Sequence, residues 1–173
     1  MNVNSRHSIR LKDYDYSTSG MYFVTICTHQ RECFLGEVKE DSVQASQHGQ
    51  VVEQVWNGLS NHYLNLELDA FIVMPNHIHG IIVLTDSVGA GLIPAHIKTS
   101  SVTLAKVVNS LKSFSTRQIN VLRETPAAPV WQRNYYEHII RNEQSLNAIR
   151  EYILFNPARW ASDENNPAQW SKS

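Results

Sequence analysis

An α+β fold built on one antiparallel sheet is what the sequence predicts, and three observations predict it. Segments rich in β-branched and aromatic residues recur at 22–28, 66–74, 77–84 and 130–140. Two longer segments, 49–63 and 103–123, place apolar residues three and four apart, the spacing of an amphipathic helix. Their order is strand, helix, strand, strand, helix, strand, which is the ferredoxin-like split βαβ order. In that arrangement helices cover one face of the sheet and the other face is left for a site. A further helix at 143–156 is added at the C-terminal end.

Taken in order, residues 1–20 are polar, carry Arg6, Arg10 and Lys12, and read as an arm. Tyr22 to Thr28 (YFVTICT) is the first strand. Residues 34–46 read as two short strand pieces around the polar stretch Lys39–Asp41. Val51, Val52, Val55, Trp56, Leu59 and Tyr63 form the stripe of the first helix. Leu66 to Met74 and His77 to Leu84 flank the turn pair Pro75-Asn76 and make an antiparallel hairpin. Residues 86–102 mix Gly, Ser and Pro without a period and read as a mobile loop. Leu104, Val107, Val108, Leu111, Phe114 and Leu122 mark the second helix, and 124–129 (ETPAAP) is a loop. VWQRNYYEHII at 130–140 reads as the last strand. Leu146, Ile149, Ile153 and Phe155 mark the added helix, which Pro157 ends because proline disfavours helical geometry in the residue before it. Residues 161–173 read as a short, frayed tail.

Composition bounds the function. A chain of 173 residues suits one domain and can bury a sizeable core. It has no apolar run long enough for a membrane helix and no hydrophobic signal core at its N-terminus. Two cysteines, Cys27 and Cys33, cannot frame a disulfide scaffold, so a reducing cytoplasm fits. The net charge of −1 argues against a nucleic-acid partner when taken whole. The halves differ, however: residues 32–86 carry a net of −7 and residues 98–160 a net of +5. Such a split hides a basic face inside a neutral total.

The residues that carry chemistry are few. His77 and His79 are two apart on a strand and so point to one face, where two imidazoles can share a metal ion. Ile78, Ile82 and Leu84 point the other way, toward a core. The alternative is a pair of surface or hydrogen-bonded histidines. Tyr152 and Asn156 share a face of the added helix. A tyrosine hydroxyl is a candidate nucleophile and an amide oxygen a candidate hard metal ligand. The bland alternative packs Tyr152 on the sheet and makes Asn156 a helix cap. His138 is a candidate third ligand or a buried structural histidine. Tyr135 and Tyr136 alternate, so one faces in and one out. No phosphate-binding glycine loop, dinucleotide fingerprint or serine nucleophile elbow is present.

Four segments match a known family in order: 6–38, FIVMPNHIHGIIVL at 71–84, SLKSFSTRQIN at 110–120, and VWQRNYYEHIIRNEQSLNAIREYILFNPARW at 130–160. With them the chain resembles the bacterial REP-associated tyrosine transposases, relatives of the single-tyrosine insertion-sequence transposases of the HUH endonuclease group. The resemblance implies a catalytic domain over 21–160 between the arm 1–20 and the tail 161–173. It implies His77 and His79 as metal ligands on a central strand, Tyr152 as the nucleophile and Asn156 as the third ligand. The implied cofactor is a divalent ion, magnesium or manganese. The implied reaction cleaves and rejoins single-stranded DNA at hairpin-forming palindromes through a 5′-phosphotyrosine. A non-catalytic hairpin-binding protein and a water-using metal nuclease are the rival readings. Lys106, Lys112, Arg117, Arg133, Arg141 and Arg150, with Arg6, Arg10 and Lys12, are the cations available to phosphates. Trp131, Tyr135 and Tyr136 are available to stack on unpaired bases. The expected setting is the bacterial cytoplasm, on the nucleoid when DNA is bound. Both a monomer and a homodimer that exchanges the tyrosine helix occur among the relatives.

Overall fold

The computed structural model of the chain describes residues 19–86 and 102–172. Arg6, Arg10, Lys12 and most of the 86–102 loop lie outside the described residues. The elements are β1 (Gly20–Cys27), β2 (Gly36–Lys39), β3 (Ser42–Ala45), α1 (Gln47–Gly58), β4 (Leu66–Val73), β5 (His77–Leu84), α2 (Leu104–Leu122), β6 (Tyr136–Ile140) and α3 (Glu143–Leu154). Short 3-10 turns occupy His29–Arg31, Leu59–Asn61, Pro157–Ser162 and Pro167–Lys172.

The main sheet runs β4-β5-β1-β6 and every pairing in it is antiparallel. Counted without the separate β2-β3 hairpin, this is the ferredoxin-like strand order that the sequence predicts. The hairpin turns through Glu40 and Asp41, both at positive φ, a conformation that Asp in particular tolerates better than β-branched residues do.

Each helix starts where a side chain satisfies a free backbone N–H. Ser46 Oγ accepts from Gly49 N at 3.2 Å, Thr103 Oγ1 from Lys106 N at 3.2 Å and Asn142 Oδ1 from Ser145 N at 2.8 Å. Helices α1 and α2 cover one sheet face with Val52, Trp56, Leu104, Val108 and Leu111, against Val24, Ile26, Ile78 and Ile82. Helix α3 packs on the other face, where Ile153, Leu146 and Ile149 meet Phe23, Ile81 and Ile140. The face bearing the histidines is therefore half covered, by the helix that carries Tyr152. A register shift between Leu68 and Phe71 lets β4 serve both layers.

Gly80 is the one position in β5 where a side chain is excluded. A Cβ there would lie 2.3 Å from the Trp56 ring, which is buried and stacked on Phe71 at 4.3 Å. Gly80→Ala is expected to lower stability by about 1–3 kcal/mol by forcing the indole off the strand. Urea unfolding measures this; an unchanged midpoint would contradict the close packing.

Three boundaries differ from the expectations. The stretch 130–140 is strand only from Tyr136, with one isolated bridge from Trp131 to Thr28. The first helix ends at Gly58 and continues as a 3-10 turn. The tail is not frayed through Lys172: it forms two 3-10 turns, and Asn165 within it is buried.

Candidate active site

His77 and His79 lie on the α3 face of β5, paired across to Cys27 and Thr25 of β1. Both are buried, at 0% and 2% exposure. Their Nε2 atoms face each other at 3.0 Å. Each Nδ1 has an oxygen partner: Asn76 Oδ1 at 2.9 Å for His77 and Thr25 Oγ1 at 2.8 Å for His79. Asn76 donates its amide protons to the carbonyls of Arg31 (3.0 Å) and Asn165 (2.7 Å), so its Oδ1 can only accept. His77 therefore carries its proton on Nδ1 and turns a lone pair inward on Nε2. Burial pushes both imidazoles down to about 3, with Arg31 adding to the effect on His77 and His77 to that on His79. Near neutral pH both rings are uncharged, the form that binds metals.

Helix α3 and the turn that follows it bring two more groups. Tyr152 Oη stands 3.4 Å from His79 Nε2, and its ring meets Phe23 edge-on at 6.0 Å. Burial raises the phenol's pKa, as does the charge of Asp163, while the Asn156 side chain pulls it back. Asn156 is 1% exposed, and its Oδ1 has no hydrogen-bond donor among the described residues. Its backbone is helical and its side chain caps nothing, so the cap reading does not hold.

This donor set fits a divalent ion. Two lone pairs 3.0 Å apart repel unless a proton or a cation lies between them. Ligand atoms about 2.1 Å from one ion and at right angles are also about 3 Å apart. An oxygen partner on the far nitrogen, as Asn76 and Thr25 supply here, is the usual support of metal-binding histidines. The orphaned Asn156 oxygen gains a partner if it joins them.

Three residues at the site were not singled out from sequence. Asn76 is buried and ties His77 to Arg31 and the tail. Arg31 follows Gln30, both at positive φ, and its guanidinium bonds Asn165 Oδ1. Asp163 places a carboxylate in one cluster with His77 and His79, their ligand atoms all within 4.8 Å of one another. The Pro75-Asn76 turn was legible, but its inward side chain was not. Asp163 and Arg31 sit in segments without a period, so only the fold brings them here.

A cavity of about 510 Å³ opens beside Tyr152, lined by Phe23, Thr25, Arg31, His79, Tyr136 and Glu164 among others. Tyr136 is half-exposed there and stands edge-on to Phe23 at 6.3 Å. Tyr135 packs against the larger core. Trp131 is buried and donates to Ser115 Oγ at 2.9 Å, so it is a core residue and not a base-stacking one. His138 is exposed and is neither a buried structural histidine nor a member of the His77–His79–Asp163 cluster.

The nine candidate phosphate contacts divide. Arg6, Arg10 and Lys12 lie outside the described residues. Lys106, Arg117, Arg133 and Arg141 are exposed. Arg150 instead holds α3 to β4 through Asp69, with Nε to Oδ1 at 2.9 Å and Nη2 to Oδ2 at 2.5 Å. Lys112 spends all three protons on the carbonyls of Gln132, Arg133 and Asn134, at 2.9, 3.2 and 3.1 Å. It clamps the segment leading into β6. Lys112→Met is expected to lower stability by about 1–3 kcal/mol, because those carbonyls lose their donor. It is also expected to speed amide exchange at the start of β6; unchanged exchange there would contradict the clamp.

The family model described as "Transposase IS200 like" matches residues 16–156 of the chain. An uncharacterized protein of Haemophilus influenzae is 37% identical over 170 residues, covering 94% of this chain and 93% of that protein. A second Haemophilus influenzae protein, named "Putative REP-associated tyrosine transposase", is 28% identical over 148 residues, 84% of this chain and 74% of its own. Among solved structures, a REP-associated tyrosine transposase bound to a REP hairpin has a TM-score of 0.61 at 18% identity. The match covers 87% of this chain and 73% of that one, and it shows a shared fold. Among the described residues, no helix is long and apolar enough to cross a membrane.

Proposed function

The chain belongs to the IS200-like transposase family, which makes it a DNA-processing enzyme, and from that premise we propose a metal-dependent strand transferase acting on single-stranded, hairpin-forming palindromic DNA. The observation that carries this reading is the convergence of three groups. The Nε2 atoms of His77 and His79 lie 3.0 Å apart, and the Tyr152 hydroxyl lies 3.4 Å from one of them.

His77, His79 and Asn156 would hold a magnesium or manganese ion. When bound, that ion supplies charge neutralisation at a nonbridging phosphate oxygen. The chain's own residues do the rest. Tyr152 forms the new bond from its oxygen to phosphorus, and the bond from phosphorus to the 3′ oxygen breaks. The phenol proton leaves to solvent and the 3′ oxygen takes one up, giving a 5′-phosphotyrosine and a free 3′-hydroxyl. Phe23, edge-on to the ring at 6.0 Å, and His79, at 5.2 Å, fix the ring's approach from the sheet side. A second 3′-hydroxyl reverses the step on another end, so the phosphodiester energy is kept and no nucleotide cofactor is needed.

The cavity beside Tyr152 suits an unpaired base, with Tyr136 as a stacking face. Exposed Lys106, Arg117, Arg133 and Arg141 suit the phosphates. The setting is the bacterial cytoplasm, where the nucleoid lies.

The test uses a single-stranded hairpin taken with its 5′ flank from the DNA beside the protein's own gene. Cleavage that needs manganese or magnesium, stops with chelator and leaves a protein–DNA adduct is the expected result. Cleavage without an adduct would assign the reaction to water. Tight hairpin binding with no cleavage in either metal would leave a binding module.

A further inference from the structure

We propose that Asp163, supplied by the tail, is a fourth protein ligand to the divalent ion, so that folding of the tail is part of metal loading. The proposal rests on the metal-dependent reading above.

The placement of Asp163 is built rather than incidental. Its carboxylate shares one cluster with the inward nitrogens of His77 and His79, within 4.8 Å. Its Oδ1 accepts from Asn165 N at 2.6 Å, and its Oδ2 is 3.4 Å from Asn156 Nδ2. The backbone N–H of Asp163 donates to Trp160 O at 3.2 Å, and Asn166 Nδ2 donates to the same carbonyl at 2.8 Å. Asn165, two residues on, is buried against Arg31 and Asn76. Asn76 also holds His77, so one amide links the tail to the first ligand.

Charge supplies the reason. His77, His79 and Asn156 are neutral donors, and the nearby Arg31 guanidinium repels a cation. A dication in a buried site of neutral ligands regains coordination but no compensating charge. One carboxylate halves the net charge and adds a hard oxygen, the donor that magnesium and manganese prefer.

The test measures manganese binding to the full chain without DNA, by titration calorimetry and by the loss of the free-ion paramagnetic resonance signal. Asp163→Asn keeps an acceptor for Asn165 N but loses the charge, and Asp163→Ala removes the acceptor as well. Both variants are expected to weaken manganese binding at least tenfold while melting near wild type in chelator. His77→Ala is expected to lose binding altogether. Wild-type affinity in Asp163→Asn together with loss in Asp163→Ala would overturn ligation by a charged carboxylate, an amide oxygen serving as well. Wild-type affinity in both would overturn any role at the ion while leaving the histidine site standing. No binding by the wild-type chain would overturn this proposal together with the metal-dependent reading beneath it. A variant that melts far below wild type in chelator is read by the manganese-induced rise in its melting temperature, and an undiminished rise counts against ligation.

Discussion

Tyr152→Phe is expected to leave hairpin DNA bound and to abolish the covalent adduct, with strand cleavage falling roughly 10³-fold or more. The substitution removes one oxygen. The ring keeps its edge-on contact with Phe23 and its 5.2 Å approach to His79. Tyr152 is 36% exposed, and its hydroxyl meets His79 Nε2 at a long 3.4 Å and the Asn156 side chain. Stability should therefore stay within about 0.5 kcal/mol of wild type. Loss of cleavage with fold and binding intact separates a nucleophile from a structural aromatic. Tyr136 lines the same cavity and is the natural competitor. An adduct that survives Tyr152→Phe and disappears in Tyr136→Phe would move the nucleophile to β6.

The second large effect is expected at His77. His77→Ala removes one of the two inward nitrogens and is expected to cut metal-dependent cleavage roughly 10²-fold or more. It also has a structural cost. His77 is fully buried, and Asn76 Oδ1 loses its donor. A cavity and an unsatisfied amide together should lower stability by about 2–4 kcal/mol. Two measurements separate the contributions. Hairpin binding in chelator should survive below the melting transition, since the phosphate contacts lie elsewhere. Added manganese should raise the melting temperature of wild type and leave that of His77→Ala unmoved, because only the form that binds ligand gains. A manganese-induced rise in the variant equal to that of wild type would contradict a histidine site.

The strands at 20–27, 66–73 and 77–84 were legible because β-branched runs bounded by turn residues have few other readings. The helices were legible from their stripes. The site was legible in part for the same reason: a period of two fixes His77 and His79 on one face, and a spacing of four fixes Tyr152 with Asn156. What stayed hidden depends on contacts between distant segments. Val130 to Tyr135 has strand-like composition, yet Trp131 turns into the core toward Ser115 and Lys112 draws the next three carbonyls to itself. Lys112 and Arg150 look like phosphate contacts by type, but one caps a loop and the other pins α3 to β4 through Asp69. Asp163 and Asn165 lie in a polar stretch after Pro157 with no periodicity. Only the buried partners Asn76 and Arg31 give that stretch a place.

The most direct test of strand transfer through Tyr152 is to digest the protein–DNA adduct with nuclease and trypsin and to read the modified peptide by mass spectrometry. Cleavage after Arg150 and Arg159 yields the peptide of residues 151–159, which holds Tyr152 as its sole tyrosine. The expected result is that peptide heavier by a nucleotide joined through its 5′-phosphate. The same added mass on the peptide of residues 134–141, which holds Tyr135 and Tyr136, would contradict the assignment, and cleaved DNA with no modified peptide would contradict covalent transfer itself.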